Sequence, residues 1–273
     1  MSSENILFHD IFGNPNAKHT AFVCHGILGS RQNWRSIARR LVQQLPDLRV
    51  VTIDHRNHGD SPPLPGPHTV AACAEDLRRL ADHIGPPTLL IGHSFGGKVV
   101  LSAASARPPG LEQVWVLDSM PGPLTETEAR EGEVSKVLEA LQGVPMPLAS
   151  RQDIVALLTD RGFSMGLARW MTTNLEEQAD GQWHWRFSLP GVQEMIEDYY
   201  PLDLWDVLGA PDPFLEVHLV RAGRSDRWTP DVLDRLENLP PGNPTHVHVM
   251  PDAGHWLHAD DPHGLIKLIV DAQ

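Results

Sequence analysis

Short apolar runs alternate along this chain with longer stretches in which apolar residues recur every three or four positions. Thr20–Cys24, Arg49–Asp54, Thr88–Ile91 and Val114–Leu117 are runs of the first kind, and Ile6–Ile11 opens the series. Their length and bounding turn formers predict strands. Asn33–Leu45 sets Ile37, Leu41 and Leu45 on one face and leaves Arg35, Arg39 and Arg40 mostly elsewhere. Thr69–Ile84 does the same with Leu77, Leu80 and Ile84, and Pro86 stops it. Both are predicted helices. Strand, loop and helix in repetition predict an α/β fold, a mostly parallel central sheet with helices on both faces.

Gly92-His93-Ser94-Phe95-Gly96 stands between the strand Thr88–Ile91 and a helical stretch, Gly97–Ala104. Strand, Gly-x-Ser-x-Gly and helix in succession is the form of a nucleophile elbow, with Ser94 on a sharp turn that glycines make sterically accessible. A nucleophilic serine needs a base and a group to orient that base. Phe214–Val220 reads as a strand running into Ala222-Gly223-Arg224-Ser225-Asp226, and Thr245–Met250 as one running into Pro251-Asp252-Ala253-Gly254-His255. Asp226 and His255 thus follow successive strands, at the sheet edge expected for Ser94. The triad expected is Ser94, His255 and Asp226.

Between Asp118 and Phe214 the strand–helix rhythm breaks. Helix-like pieces (Glu128–Leu141, Gln152–Thr159) and four tryptophans fill the interval, and Gln182–Phe187 alternates with period two after Asp180-Gly181, a hairpin pattern. So long a segment is not expected to be structureless. Residues 120–210 are read as a mainly helical cap over the serine, inserted into a core of 1–119 and 211–273. It would supply most of an apolar acyl pocket. Trp170 and Trp205 are its candidate substrate contacts, unless they fill the cap's own core.

His25–Ser30 with Asn33-Trp34, Asp54–Pro62, Gly92–Lys98 and Ala253–Asp260 together resemble the α/β-hydrolase superfamily. Within it the chain is most similar to small bacterial and mitochondrial acyl-ester hydrolases, the esterases and thioesterases. The resemblance covers the core well and the middle third poorly. It implies an oxyanion hole from the Phe95 and Ile27 backbone N–H groups. It also implies rivalry over the acid: that branch often carries an aspartate where Asp118 stands, whereas Gly223-x-x-Asp226 with Pro230 matches the commoner superfamily pattern.

A net charge of −13 without a basic run argues against nucleic acids and anionic membranes as partners. No apolar stretch approaches the roughly 18 residues of a membrane span, and Met1–Asn5 lacks the features of a signal peptide. Cys24 and Cys73 fall on separate elements and read as buried thiols. A cytoplasmic monomer or homodimer is expected. Among fifteen histidines, His246-Val247-His248 sets two imidazoles on one face of a strand. A hydrolytic metal centre would need further ligands nearby, so no metal and no cofactor are expected. His93, His58, Asp60 and His258 read as structural.

The function expected is hydrolysis of short- to medium-chain carboxylic esters or thioesters through an acyl-enzyme. The alternatives are a lyase or C–C bond hydrolase acting on an organic acid, with Arg31, Arg56 and Arg227 as candidate carboxylate holders, or a ligand-binding relative.

Overall fold

The computed structural model describes residues 5–209 and 215–273. The expected strand start at Phe214, the 210/211 limit of the expected insertion and residues Met1–Glu4 lie outside the described residues.

The first half of the chain lays down β1 (His9–Phe12), β2 (His19–Cys24), α1 (Arg35–Gln44), β3 (Leu48–Ile53), α2 (Val70–Ile84), β4 (Leu89–His93), α3 (Phe95–Ser105) and β5 (Gln113–Leu117). The last quarter adds β8 (Glu216–Ala222), α10 (Pro230–Glu237), β9 (Thr245–Met250), α11 (Leu257–Asp260) and α12 (Pro262–Asp271). These strands form one seven-stranded sheet in the order β1-β3-β2-β4-β5-β8-β9. β1 alone runs antiparallel; the other neighbours are parallel. β2, β4, β5 and β8 are almost wholly buried, as strands covered on both faces must be. One face packs on Trp34, Ile37 and Leu41 beside Leu265, Ile266 and Ile269 of α12. The other packs on Leu77 and Leu80 of α2 with Val99 and Val100 of α3. Leu41 is fully buried, so truncation to alanine would cost about 2–5 kcal/mol.

Helix limits follow local chemistry. Thr69 caps α2 by accepting from the Ala72 amide, and Gly85 takes φ 101° at its end. The helix expected over Glu128–Leu141 is two: α4 (Glu126–Glu131) and α5 (Glu133–Gln142) meet at Gly132, which is extended (φ −62°, ψ 149°). Glycine is the weakest helix former after proline, which explains the break. α6 (Arg151–Asp160), α7 (Met165–Met171), β6 (Leu175–Glu177), β7 (Trp183–Trp185), α8 (Leu189–Tyr199) and α9 (Trp205–Gly209) complete the segment between β5 and β8. β6 and β7 pair antiparallel, the hairpin expected from the alternation around Trp183.

This segment is tied to the core by buried polar contacts. Lys98 on α3 is fully buried and donates from Nζ to the carbonyls of Tyr199 (2.9 Å) and Leu202 (2.8 Å), with the Tyr199 ring 4.4 Å away. The Val70 amide donates to Asp198, and Asn174 Nδ2 to the Leu28 carbonyl, each at 2.8 Å. Cys24 and Cys73 are free and buried, and burial pushes both thiols up from their ordinary pKa. Among the described residues no helix is long and apolar enough to cross a membrane.

Candidate active site

Parallel strands bring their C-terminal ends to one edge, and the site is assembled there from the turns after β4, β5 and β9. β4 ends at His93 and α3 begins at Phe95, leaving Ser94 alone on the turn with φ 52° and ψ −116°. Such a backbone costs of order 1–3 kcal/mol and persists only where its surroundings enforce it. They do. A side chain at Gly92 would stand 2.1 Å from the Gly96 carbonyl oxygen, and one at Gly96 2.6 Å from that of Cys24. Both glycines are therefore required for the turn to close.

Ser94 Oγ lies 3.0 Å from His255 Nε2, and His255 Nδ1 lies 2.8 Å from Asp118 Oδ2. With Nδ1–H donating to the carboxylate, Nε2 is left as the acceptor of the serine proton. Asp118 follows β5 with φ 46°, a conformation that aspartate tolerates better than most residues. Its other oxygen accepts from Trp228 Nε1 (2.7 Å) and the Ala222 amide (3.0 Å). Burial presses the carboxyl pKa up, but the hydrogen bonds from His255, Trp228 and Ala222 outweigh it and hold it below the ordinary value. Burial lowers the His255 pKa below 6.5 despite the opposing Asp118 carboxylate.

The expectation of Asp226 on His255 is thereby corrected. Asp226 is exposed and makes no hydrogen bond to His255 among the described residues. After β8 the chain is drawn against the next turn: a side chain at Gly223 would stand 2.4 Å from the Pro251 carbonyl, and the Arg224 amide donates to Ala253 (3.0 Å). From that turn Trp228 points inward to Asp118, and Asp226 faces solvent. The chain order Ser, Asp, His survives with the other aspartate.

Ile27 and Phe95 flank the serine, and neither amide has a hydrogen-bond acceptor among the described residues. Three buried histidines shape the loop carrying Ile27. His58 Nε2 accepts from the Leu28 amide, His25 Nε2 from the His55 amide (both 3.1 Å), and His58 Nδ1 donates to the Arg56 carbonyl. Burial lowers their pKa, to about 4 for His25 and about 3 for His58, so at neutral pH the Nε2 of each remains an acceptor while its Nδ1–H donates to a carbonyl. His93 Nε2 bonds the His255 carbonyl at 2.7 Å, and His258 stacks on Trp34 at 4.5 Å. Asp60 pairs with Arg31 and Arg186. All four side chains read as structural thus have structural partners.

A cleft of about 620 Å³, its open mouth included, runs from Ser94 and His255 between apolar walls that include Val137, Leu167, Trp170 and Trp256. Trp170 meets Trp256 edge to face at 4.3 Å. Trp205 does not line the cleft: it is 5% exposed, packs against Gly122 and lies under the Arg235 guanidinium at 4.3 Å. Its ring fills space between Gly122 and Arg235 of α10, which corrects the expectation of a substrate contact. Of the candidate carboxylate holders, Arg31 is spent on Asp10, Asp54 and Asp60, and Arg56 on Asp76. Arg227 lines the cleft and has no salt bridge among the described residues. Trp228 was not foreseen. The signal was its place in the Asp226-Arg227-Trp228 run, where an indole N–H can serve as a buried donor.

The profile of the alpha/beta hydrolase family matches residues 21–268. The chain is 31% identical over 275 residues to the sn-1-specific diacylglycerol lipase ABHD11 of Danio rerio, covering 97% of this chain and 81% of that protein. It is 27% identical to Esterase YbfF of Escherichia coli K12, covering 94% and 93%. Among solved structures, a marine microorganism esterase superposes with a TM-score of 0.84 at 26% identity, covering 97% of this chain and 98% of that one. The chain belongs to the alpha/beta hydrolase family.

Proposed function

We propose that this chain is a serine hydrolase cleaving short- to medium-chain carboxylic esters, thioesters included, through a Ser94–His255–Asp118 triad. The observation that carries the reading is the hydrogen-bonded line from Ser94 Oγ through His255 to a buried Asp118, set at the base of an apolar cleft. Relatives named as lipase and esterase support it. Ser94 Oγ attacks the ester carbonyl while His255 Nε2 takes its proton, and Asp118 stabilises the imidazolium. The Phe95 and Ile27 amides receive the developing oxyanion. His255 then protonates the departing alcohol or thiol, leaving Ser94 acylated. Water, deprotonated by His255, releases the carboxylic acid and restores the serine. The segment between β5 and β8 acts as a cap, and its residues with Trp256 hold the acyl chain.

A fluorophosphonate should label the protein stoichiometrically at Ser94, and p-nitrophenyl esters from acetate to octanoate should be turned over. Trp170→Ala should shift the preference along that series with folding unchanged; a loss uniform in chain length would count against the acyl pocket. Arg227 favours a second reading, in which the acyl group ends in a carboxylate. Monoethyl succinate in the same series tests it, since preference over ethyl butyrate that disappears in Arg227→Ala would support it.

The base must be neutral to accept the serine proton, and its pKa is lowered. Activity is therefore present above that pKa and lost as pH falls through it. The acid limb of kcat/KM should have its midpoint below 6.5, and a midpoint above 7 would remove His255 as described from the mechanism.

A further inference from the structure

Away from the serine, further down β5, β8 and β9, the sheet gathers a second set of reactive side chains. Trp115, His218 and His246 are register partners on β5, β8 and β9, so their rings lie in a row on one face. Trp115 stacks on His218 at 4.0 Å with 4° between the planes, and His246 stacks on the other side at 4.9 Å. Glu216 and His248 lie two residues away from members of that row, hence on the same face. The ligand atoms of Glu216, His218 and His246 lie within 4.8 Å of one another.

We propose that Glu216, His218 and His246 form a zinc site that joins β8 to the edge strand β9. His218 is the fixed ligand. It is 3% exposed, its Nδ1 is 3.0 Å from His248 Nε2, and its Nε2 is buried with no hydrogen-bond partner, 3.5 Å from Glu216 Oε2. An imidazole oriented through one nitrogen and free at the other is the usual disposition of a metal-bound histidine. Glu216 and His246 are exposed and can rotate inward. Tetrahedral zinc at 2.0–2.2 Å from each ligand holds those atoms about 3.3 Å apart, so His246 must leave its stacked position on His218 and turn a ring nitrogen toward the ion as Glu216 closes in. Two imidazoles and one carboxylate suit zinc better than calcium or magnesium, which take oxygen ligands. Water fills the fourth position. Glu216 begins β8 whereas Ser94 follows the end of β4, so the ion lies at the far end of parallel strands and takes no part in acyl transfer. Its effect is to pin the edge strand β9 to β8 by a side-chain cross-link added to their backbone pairing.

Isothermal titration of the intact protein with Zn²⁺ should give one site of micromolar affinity, and Zn²⁺ should raise the melting temperature. Bound Co²⁺ should show the visible absorption of a tetrahedral site. Exposed positions make His246→Ala and Glu216→Gln safe for folding, which circular dichroism would verify. Each should weaken Zn²⁺ binding by about tenfold or more and abolish the thermal shift, with p-nitrophenyl ester turnover unchanged. Absence of micromolar binding to the wild type, or affinity retained by either variant, overturns the site. That second result would also arise if Zn²⁺ bound instead among His93, His255 and His258, in which case it would inhibit turnover.

Discussion

Asp118→Asn is expected to lower kcat by about four orders of magnitude, with KM nearly unchanged and the fold intact. An amide at 118 can still accept from Trp228 Nε1 and the Ala222 amide, which now bond Oδ1 at 2.7 and 3.0 Å. What remains to face His255 Nδ1 is then an NH2 donor. The imidazole must turn its lone pair to that donor and carry its proton on Nε2, toward the serine it is meant to deprotonate. The imidazolium formed in the transition state also loses its counter-charge. Asp226→Asn makes the informative contrast. Its carboxylate is exposed and acts on His255 only through space, so screening limits its loss to within about tenfold. Steady-state kinetics on p-nitrophenyl butyrate for both variants in one buffer decides the matter. A dead Asp226→Asn beside an active Asp118→Asn would require a rearranged β8–α10 turn in solution.

Ser94→Ala is expected to remove at least about four orders of magnitude of turnover and all fluorophosphonate labelling. Residual hydrolysis would come from the Phe95 and Ile27 amides and from binding alone. The substitution leaves the positive φ of the elbow unrelieved, since alanine carries the same Cβ, and the glycines that enforce the turn are untouched. Stability should therefore stay near the wild type, within about 1 kcal/mol, because one hydrogen bond to His255 is lost. Urea denaturation alongside the kinetics separates a chemical loss from a folding loss. An alanine variant that keeps most of its activity would dismiss Ser94 as the nucleophile.

Ser94 and His255 were legible because each lies in a local pattern tied to a strand end, and a parallel sheet sends all such ends to one edge. The same rule is what made the acid ambiguous. β5 and β8 are neighbours in that sheet, and an aspartate after either one arrives at the correct edge. The difference lies in features that residue patterns do not display: the positive φ at Asp118, the packing of Gly223 on Pro251, and an indole that turns inward where a carboxylate turns out. Burial of tryptophans is similarly hidden. Trp170 and Trp205 have comparable apolar neighbours along the chain, yet one lines the cleft and the other is packed beneath Arg235. The β6–β7 hairpin was visible in its alternation. The start of α8 carries a comparable signal, Ser188 as cap and Pro190 in the first turn.

The anchoring of Lys98 bears on how such a molecule can diversify. Its two hydrogen bonds read main-chain carbonyls at Tyr199 and Leu202, and a carbonyl is present whatever the side chain. Substitutions between β5 and β8 can therefore reshape the cleft beside Ser94 without releasing the fastening, so long as the end of α8 keeps its course. The fastening is asymmetric, for the lysine itself has no such latitude. Four residues beyond Ser94, on the helix that begins at Phe95, it ties the β5–β8 segment to the same element that sets the serine turn, so the two stay in register while side chains between them change.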